Sequence, residues 1–232
     1  MLVLFDVDAT LITTSRAGIW AMGAAGRELY GEAFTTDRTE FSGRLDPLIL
    51  RDLLEANGVE PTAAALAAMR ATYRVHLERR LREGPPPRAL PGVMDLLTVL
   101  SEQASVVMGL LTGNFPETGA MKLRACGIEP ERFPIRVWGD ESPFEPPCRE
   151  HLPPVAIGRY RERQGREVTP DAVTVVGDTP HDVACAKANG CRVIGVATGA
   201  YSTGALRDAG ADLVLVDLSD TERVVSWVMR RA

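Results

Sequence analysis

The chain begins with a short apolar run that leads directly into two carboxylates. Residues 2–5, which read Leu-Val-Leu-Phe, are followed by Asp6 and Asp8. A run of this kind, ended by a polar cluster, is typical of a fully buried parallel strand. Open α/β sheets bind ligands outside the carboxyl ends of their strands, so both carboxylates should face a site there. Two partly desolvated carboxylates repel each other, and a hard divalent cation is the usual counter-charge. Taken alone, the pair is more easily explained by an aspartate-capped turn.

Length and composition describe an ordinary globular protein and exclude several classes of partner. The 232 residues are 45% hydrophobic and 25% charged, and the net charge of -5 gives no general attraction to nucleic acid or to an anionic membrane. No apolar run approaches transmembrane length and no leader precedes the first predicted strand, so a cytoplasmic protein is expected. The cysteines form neither a C-x-x-C motif nor a metal-ligand pattern with the histidines, which indicates buried or incidental thiols.

The stretch after the first strand has the spacing of helices throughout. Helices are predicted over residues 16–30, 46–57 and 62–81. Asp46 is the predicted N-cap of the second helix, with Pro47 at its first position and Gly58 after its end. The proline-rich residues 84–87 close this helical segment.

From residue 88 onward, strands and helices alternate. Strands are predicted at residues 105–112, 135–138, 172–177, 191–196 and 212–216, and helices at residues 91–103, 116–126, 150–164 and 180–189 and at the C-terminus. Such alternation favours right-handed crossovers and a parallel sheet. The predicted fold is α/β, with a Rossmann-like parallel sheet core, helices on both of its faces, and an inserted all-helical cap domain. The core domain would comprise residues 1–15 and 88–232, and the cap domain residues 16–87.

Two later strand ends add polar groups at the same edge as the two carboxylates. One predicted strand is followed by Thr112, Gly113 and Asn114. A hydroxyl and free backbone N–H groups before a helix can form an anion site, although the same residues also suit a simple turn. Another strand is followed by Asp178, with Asp182 in the first turn of the next helix. Asp178 could complete an oxygen-rich magnesium site, and a capped helix start is compatible with that role.

A cation is also expected at this edge, where it would balance the charge of a transferred anionic group. Lys187 lies a turn and a half into a predicted helix and should be exposed. Arg149 lies just ahead of the helix predicted at residues 150–164 and is better placed. A surface arginine explains Arg149 equally well, because loop placement is the weakest part of a sequence prediction.

In this order, the motifs resemble those of the haloacid dehalogenase-like (HAD) hydrolase superfamily, and more closely its phosphoglycolate-phosphatase-like branch with a small helical cap. Residues 6–10, Asp-Val-Asp-Ala-Thr, resemble the Asp-x-Asp-x-Thr motif of that family. Residues 112–114 resemble its second motif and residues 177–182 its fourth. The resemblance covers the whole chain, and the combination of strand ends with a helical insertion after the first strand is highly specific.

The resemblance implies a Mg²⁺-dependent phosphatase. Asp6 would be the nucleophile that forms an aspartyl-phosphate, and Asp8 would be the general acid and base. An acid at position 8 favours a phosphate ester over a carbon-halogen or carbon-phosphorus bond, because a leaving alkoxide needs a proton. Mg²⁺ would be held by Asp6, the backbone carbonyl of Asp8 and Asp178, with Asp182 orienting the metal ligands. The phosphate would be bound by Thr112, Gly113, Asn114 and Arg149.

Two departures from the family pattern bear on these roles. Ala9 stands where the family usually has Gly, and its methyl group is tolerable if the backbone there does not need a positive φ. The third motif normally has a Lys, and none occurs between residues 140 and 165, so Arg149 would have to replace it. In the cap, residues 41–46 resemble a loop that approaches the active site in relatives. Arg44 is therefore a candidate for binding an anionic part of the substrate, although a solvated arginine is an equally good explanation.

The expected function is the hydrolysis of a small phosphorylated metabolite. A sugar-phosphate mutase similar to β-phosphoglucomutase is the alternative, because it shares the core motifs and differs in what accepts the phosphoryl group. A receiver-type signalling module conflicts with the helical insertion, and an inactive binding module is not supported by the intact Asp6, Asp8 and Asp178. Neither nucleic acid nor a membrane is expected as a partner, and the sequence leaves the substrate and the oligomeric state open.

Overall fold

A parallel sheet forms the centre of the computed structural model, which describes residues 1–230. The strands are β1 (Leu2–Phe5), β2 (Ile12–Thr13), β3 (Arg88–Ala89), β4 (Val107–Leu111), β5 (Ile135–Val137), β6 (Val173–Gly177), β7 (Arg192–Val196) and β8 (Leu213–Leu215). The central sheet has the order β5-β4-β1-β6-β7-β8, and each neighbouring pair in it is parallel. The first strand of the chain therefore lies inside the sheet, as its continuous apolar sequence predicts.

Helices cover the sheet and form the long segment that follows β2. They are α1 (Ala17–Tyr30), α2 (Asp46–Ala56), α3 (Ala63–Glu83), α4 (Val93–Ser101), α5 (Pro116–Ala125), α6 (Leu152–Gln164), α7 (Pro180–Ala188), α8 (Thr203–Asp208) and α9 (Thr221–Met229). We call residues 16–87, which contain α1 to α3, the cap. The short strands β2 and β3 pair antiparallel at its two ends. The predicted α/β fold with an inserted helical segment is confirmed. No helix within residues 1–230 has the length and apolar character needed to cross a membrane.

The two faces of β1 bury alternate residues against different helices. Val3 and Phe5 belong to a core cluster that includes residues of α4, α5 and α9, whereas Leu2 and Leu4 belong to a cluster that includes residues of α6, α7 and α8. Strand side chains alternate between the faces of a sheet, so a run of apolar residues needs a helical layer on each face. This packing fixes the position of the strand end that carries Asp6.

The cap packs against α5, which begins shortly after the carboxyl end of β4. Buried residues of α1, α2 and α3 share a cluster with Phe115, the residue before α5. Arg70 of α3 stacks over the Phe115 ring, with its guanidinium carbon 3.9 Å from the ring centroid, and pairs with Glu117 at 2.7 Å. The cap is thereby joined to the part of the sheet domain that lies next to the predicted site.

The structure corrects the predicted role of Asp46. α2 begins at Asp46 itself, Leu45 is at the N-cap position, and the N-cap side chain makes no capping hydrogen bond. The Asp46 carboxylate accepts a hydrogen bond from the backbone N–H of Phe115 at 3.1 Å. Asp46 therefore caps α5 and not its own helix, and the predicted N-cap is wrong. The Phe115 N–H, which is distant in sequence, is the partner of the carboxylate in place of an N–H of α2.

Most other predicted elements are present, with bounds that differ by a few residues. The sequence does not predict α8 or the pair of short strands β2 and β3. Segments this short have too few residues for a periodic pattern to be recognised.

Phe133→Ala should lower the free energy of unfolding by about 3–5 kcal/mol. The Phe133 ring is 0% exposed and meets the Phe5 ring edge to face, with centroids 6.2 Å apart. Urea denaturation would report the loss as a lower midpoint. Phe144→Ala is the matched control, because that ring is 63% exposed, and its effect should stay below about 0.5 kcal/mol. Equal effects of the two variants would contradict the burial of Phe133.

Candidate active site

Three neighbouring strands end together and place Thr112, Asp6 and Asp178 side by side. β4 and β6 both pair with β1 in parallel, and each of the three side chains directly follows the last residue of its strand. All three line a cavity of about 240 Å³, which is also lined by cap residues. The predicted convergence of strand-end residues is therefore present in the structure.

Arg149 lies against the carboxylate of Asp6. It is on a 3₁₀ turn, residues 149–151, that leads into α6. Its Nη2 donates to Asp6 Oδ1 at 2.9 Å and to Asp182 Oδ1 at 2.6 Å. Burial alone would lower the pKa of Arg149, but the charges of Asp182 and Asp6 outweigh it and raise that pKa. Burial raises the pKa of Asp6 to about 6, although the charge of Arg149 opposes the change.

Asp6, Asp178 and Asp182 form an acidic cluster. One carboxylate oxygen of each lies within 4.8 Å of the others. Burial, reinforced by the charges of Asp6 and Asp182, raises the pKa of Asp178 to about 8. The backbone N–H and the hydroxyl of Thr179 donate to Asp182 Oδ2 at 3.0 and 2.7 Å. The Thr10 hydroxyl donates to Asp178 Oδ1 at a longer distance of 3.4 Å.

The chemistry of this cluster fits a divalent metal ion. Its donors are all oxygen atoms, which hard cations such as Mg²⁺ prefer. Both oxygens of Asp182 already accept hydrogen bonds from protein donors, whereas Asp178 is poorly compensated. Among the described residues, Asp6 and Asp178 are therefore the carboxylates best suited to bind such an ion directly.

Asp8 is held by two residues that follow β4. Lys122 Nζ donates to Asp8 Oδ2 at 2.7 Å and to Asn114 Oδ1 at 2.6 Å. Asn114 Nδ2 donates to the same oxygen of Asp8 at 2.9 Å. The Lys122 side chain is 6% exposed, whereas that of Asp8 is 42% exposed. Burial alone would lower the pKa of Lys122, but its acidic neighbours, Asp8 first, outweigh it and raise that pKa.

The motifs of the sequence do not identify Lys122. Asn114, Thr118 and Lys122 are spaced four residues apart, which places them along one face of α5 and of the turn before it. That spacing is the signal that could have found the lysine. The motifs also do not identify Asp46 as a residue near the site. Its buried carboxylate contacts the start of α5, the helix that carries Lys122.

The Thr112-Gly113-Asn114 segment lies at the cavity, but its residues have different partners. Thr112 Oγ1 accepts from Asn114 Nδ2 at 2.8 Å, so the hydroxyl proton remains for another acceptor. A Cβ on Gly113 would lie 2.0 Å from the backbone oxygen of Arg44, and Gly113 O accepts from the backbone N–H of Asp46 at 2.7 Å. The cap loop therefore rests directly on Gly113, a contact that leaves no space for a side chain.

Arg44 has a protein partner in this structure. Arg44 is among the residues that line the cavity, and its Nη1 forms an ion pair with Asp52 of α2. The neighbouring Gly43 accepts a hydrogen bond from Arg149 Nη1 at 3.4 Å through its backbone oxygen. The predicted cap loop thus approaches the site, although the guanidinium of Arg44 is directed to Asp52.

Ala9 adopts a positive φ of 58°. The methyl group of Ala9 was expected to be tolerable only if the backbone there did not need a positive φ, and this condition is not met. A side chain strains a left-handed backbone by about 1–2 kcal/mol. The Thr198 hydroxyl donates to the backbone oxygen of Ala9. A Cβ on Gly199 would lie 3.3 Å from the Ala9 Cβ and 1.8 Å from Asp178 Oδ2. The loop after β7, which the sequence does not implicate, thus closes this end of the site.

Comparison with known proteins identifies the family. The sequence model of the haloacid dehalogenase-like hydrolase family matches residues 3–187, and the chain belongs to this family, as its motifs indicate. A relative, pyrophosphatase PpaX of Bacillus pumilus (strain SAFR-032), is 26% identical over 223 residues, which cover 96% of this chain and 95% of PpaX.

Solved structures share the fold over nearly the whole chain. A predicted phosphoglycolate phosphatase from Haemophilus somnus 129PT is 19% identical, with a TM-score of 0.72 over 97% of each chain. A variant of CbbY from Rhodobacter sphaeroides in complex with xylulose-(1,5)bisphosphate is 21% identical, with a TM-score of 0.75 over 94% of this chain and 95% of CbbY. The match therefore includes the helical insertion as well as the sheet.

Ala9→Gly should raise the free energy of unfolding by about 0.5–1 kcal/mol. Relief of the left-handed strain, about 1–2 kcal/mol, exceeds the entropic penalty of glycine, about 0.5–1 kcal/mol. Urea denaturation of both proteins measures the difference. Ala67→Gly, at an exposed position within α3, is the control and should lower stability by about 0.5–1 kcal/mol. If Ala9→Gly were as destabilising as this control, the strain at Ala9 would be disproved.

Proposed function

We propose that the protein is a Mg²⁺-dependent phosphatase that hydrolyses a small phosphorylated metabolite through an aspartyl-phosphate on Asp6. One observation carries the proposal: the two aspartates of one motif have different surroundings. Asp6 accepts a hydrogen bond from the buried Arg149, whereas Asp8 accepts one from the buried Lys122. Carboxylates in unlike surroundings suit unlike catalytic roles. Membership of the HAD family and the similarity to a pyrophosphatase favour phosphoryl chemistry for this pair.

Asp6 would attack the phosphorus atom, while Arg149 and Thr112 bind the phosphoryl oxygens. The Nε–H of Arg149 is buried and has no acceptor within the described part of the chain, so a charged donor remains for an oxyanion. The Thr112 hydroxyl proton is a second donor, and the Asn114 side chain that binds Thr112 would fix its direction. Arg149 would thereby take the place of the usual Lys of the third motif.

Asp8 would protonate the leaving alcohol and then accept a proton from the water that hydrolyses the aspartyl-phosphate. Lys122 and Asn114 both bind Oδ2 of Asp8, so Oδ1 is the atom left to transfer the proton. These two residues would position Asp8 without touching the reacting atoms.

The acidic cluster would hold Mg²⁺ through Asp6, Asp178 and the backbone carbonyl of Asp8. When bound, the ion supplies the positive charge that allows a carboxylate to approach a phosphate. Asp182 would orient Arg149 and the neighbouring ligands, because its own oxygens already accept from Arg149 and Thr179.

We also propose that residues 16–87 act as a cap domain on a core domain of residues 1–15 and 88–232. The cap loop rests on Gly113 and contacts Arg149, so it would shield the phosphoryl group from bulk water. A cavity of about 240 Å³ suits a small metabolite. For Arg44 to bind an anionic part of the substrate, it would have to leave Asp52. A cytoplasmic location stays a prediction from the sequence.

A sugar-phosphate mutase is the second candidate, because it would use Asp6 and Asp8 in the same way. The two functions differ in whether water or a substrate hydroxyl accepts the phosphoryl group. The receiver-type module remains disfavoured by the helical insertion, and the inactive module by the hydrogen-bonded partners of both aspartates.

The first test is the release of inorganic phosphate from a panel that includes pyrophosphate, phosphoglycolate and hexose phosphates. Release should require Mg²⁺, stop with EDTA, and vanish in Asp6→Asn, because that variant lacks the nucleophile. Interconversion of sugar-phosphate isomers without phosphate release would favour the mutase. Full activity of Asp6→Asn would eliminate the proposed covalent step.

For a simple alkyl phosphate such as ethyl phosphate, Lys122→Met should lower kcat by about 10- to 100-fold with little change in KM, since general acid–base catalysis contributes 10²–10⁴-fold and Asp8 would lose the lysine that positions it. Lys187→Met is the control: that lysine is partly exposed, pairs with Asp212, and should leave both readouts unchanged. An unchanged kcat for Lys122→Met would refute the positioning role.

A further inference from the structure

A buried hydroxyl of the cap lacks a hydrogen-bond partner of normal geometry among residues 1–230. Tyr73 of α3 is 0% exposed, and within residues 1–230 its Oη makes no hydrogen bond of normal geometry, although the Thr118 hydroxyl lies close enough to interact with it. The nearby Thr118 hydroxyl is directed to Asp46 and to the backbone oxygen of Phe115. A buried hydroxyl without a partner is unfavourable, so a group of this kind calls for a ligand or another explanation.

The Tyr73 hydroxyl lies at the site cavity beside Lys122. Both residues line that cavity, together with Gly18 and Asp8. A Cβ on Gly18 would lie 3.3 Å from Tyr73 Oη and 3.3 Å from Lys122 Nζ. The absence of a side chain at Gly18 therefore leaves a gap that both polar atoms border.

Both groups bordering this gap can donate a hydrogen bond. Lys122 Nζ carries three protons, of which two are directed to Asp8 and Asn114. Burial raises the pKa of Tyr73 above its usual range, so its hydroxyl stays protonated. A charged donor and a neutral donor that border one gap fit an oxygen acceptor of a ligand.

We propose that Tyr73 Oη and Lys122 Nζ bind an oxygen atom of the leaving group of the substrate. This inference rests on the proposed phosphatase function and narrows its substrate class. Lys122 also holds Asp8, the proposed acid for the ester oxygen, so the bound atom lies close to that oxygen. The substrate is then a phosphate ester of a small alcohol that carries a hydroxyl, carbonyl or carboxylate oxygen on the carbon next to the ester carbon. Simple alkyl phosphates lack this atom.

The test compares 2-hydroxyethyl phosphate with ethyl phosphate, which differ by one hydroxyl. The wild type should have the higher kcat/KM for 2-hydroxyethyl phosphate. Tyr73→Phe should lower the ratio of the two kcat/KM values by about 3- to 10-fold, the effect of one neutral hydrogen bond. Its Tm should be equal to or higher than that of the wild type, because the substitution removes an unpartnered buried hydroxyl. A purely structural role would lower Tm and leave the ratio unchanged.

Gly18→Ala and Tyr30→Phe are the companion variants. Gly18→Ala would place a methyl group in the gap and should lower the same ratio. Tyr30→Phe changes another cap tyrosine, which stacks on Phe34 with ring centroids 5.9 Å apart, and should keep the wild-type ratio. A wild type without preference for the hydroxyl, or an unchanged ratio in Tyr73→Phe, would overturn the subsite.

Failure of the proposed function has a separate signature. If neither ester is hydrolysed with Mg²⁺, or if Asp6→Asn remains active, the phosphatase chemistry is wrong. Calorimetric titration of both esters into Asp6→Asn, with and without Tyr73→Phe, measures the ratio of the two Kd values without turnover. A ratio that does not depend on Tyr73 would overturn the subsite in that case too.

Discussion

The buried guanidinium of Arg149 is the interaction on which the geometry of the site depends. It binds Asp6 and Asp182, and all three side chains are at most 10% exposed. Breaking a buried pair by removing one partner typically costs about 3–5 kcal/mol, because the remaining charge is left uncompensated. Asp178 adds a further carboxylate to the same cluster. Arg149, on the 3₁₀ turn before α6, therefore compensates both the acid that follows β1 and an acid in the first turn of α7.

The cap and the sheet are linked through the same kind of charge balance. The Asp46 carboxylate at the start of α2 caps α5, and burial raises its pKa to about 6 although Lys122 opposes the change. Lys122 in turn holds Asp8. An acid of the cap and an acid of the first motif thus stabilise one buried lysine, so the position of the cap and the surroundings of Asp8 are electrostatically coupled.

The strand ends could be predicted from the sequence because each is a local pattern. An apolar run that stops at Asp6, Thr112 or Asp178 needs no knowledge of distant residues, and the alternation of helices and strands brings the three to one edge. Lys122 and Asp8 are 114 residues apart in the sequence, and no motif around either residue predicts their contact. Asp46 shows the same limit of sequence-based prediction. The local pattern predicts that it caps its own helix, whereas its partner in the structure is the distant Phe115.

Arg149 and Ala9 are intermediate cases. The sequence identified Arg149 as the better placed cation, but its contacts depend on the path of a loop, which a pattern of residues does not determine. For Ala9 the departure from the family's glycine was visible, whereas the sign of φ was not. Only the backbone of the folded chain shows that the methyl group is accommodated in a strained conformation.

The unfavourable features of the structure are concentrated where a ligand would relieve them. Of the buried side-chain atoms without a partner within residues 1–230, Tyr73 Oη and Arg149 Nε belong to cavity-lining residues. The strained Ala9 and the mutually repelling Asp6 and Asp178 line the same cavity. Apolar clusters cover both faces of β1, so these polar groups do not indicate a poorly packed fold. Their chemistry is complementary to a phosphate ester and a cation, because the unpaired donors match phosphoryl and alcohol oxygens and the crowded carboxylates match a metal ion.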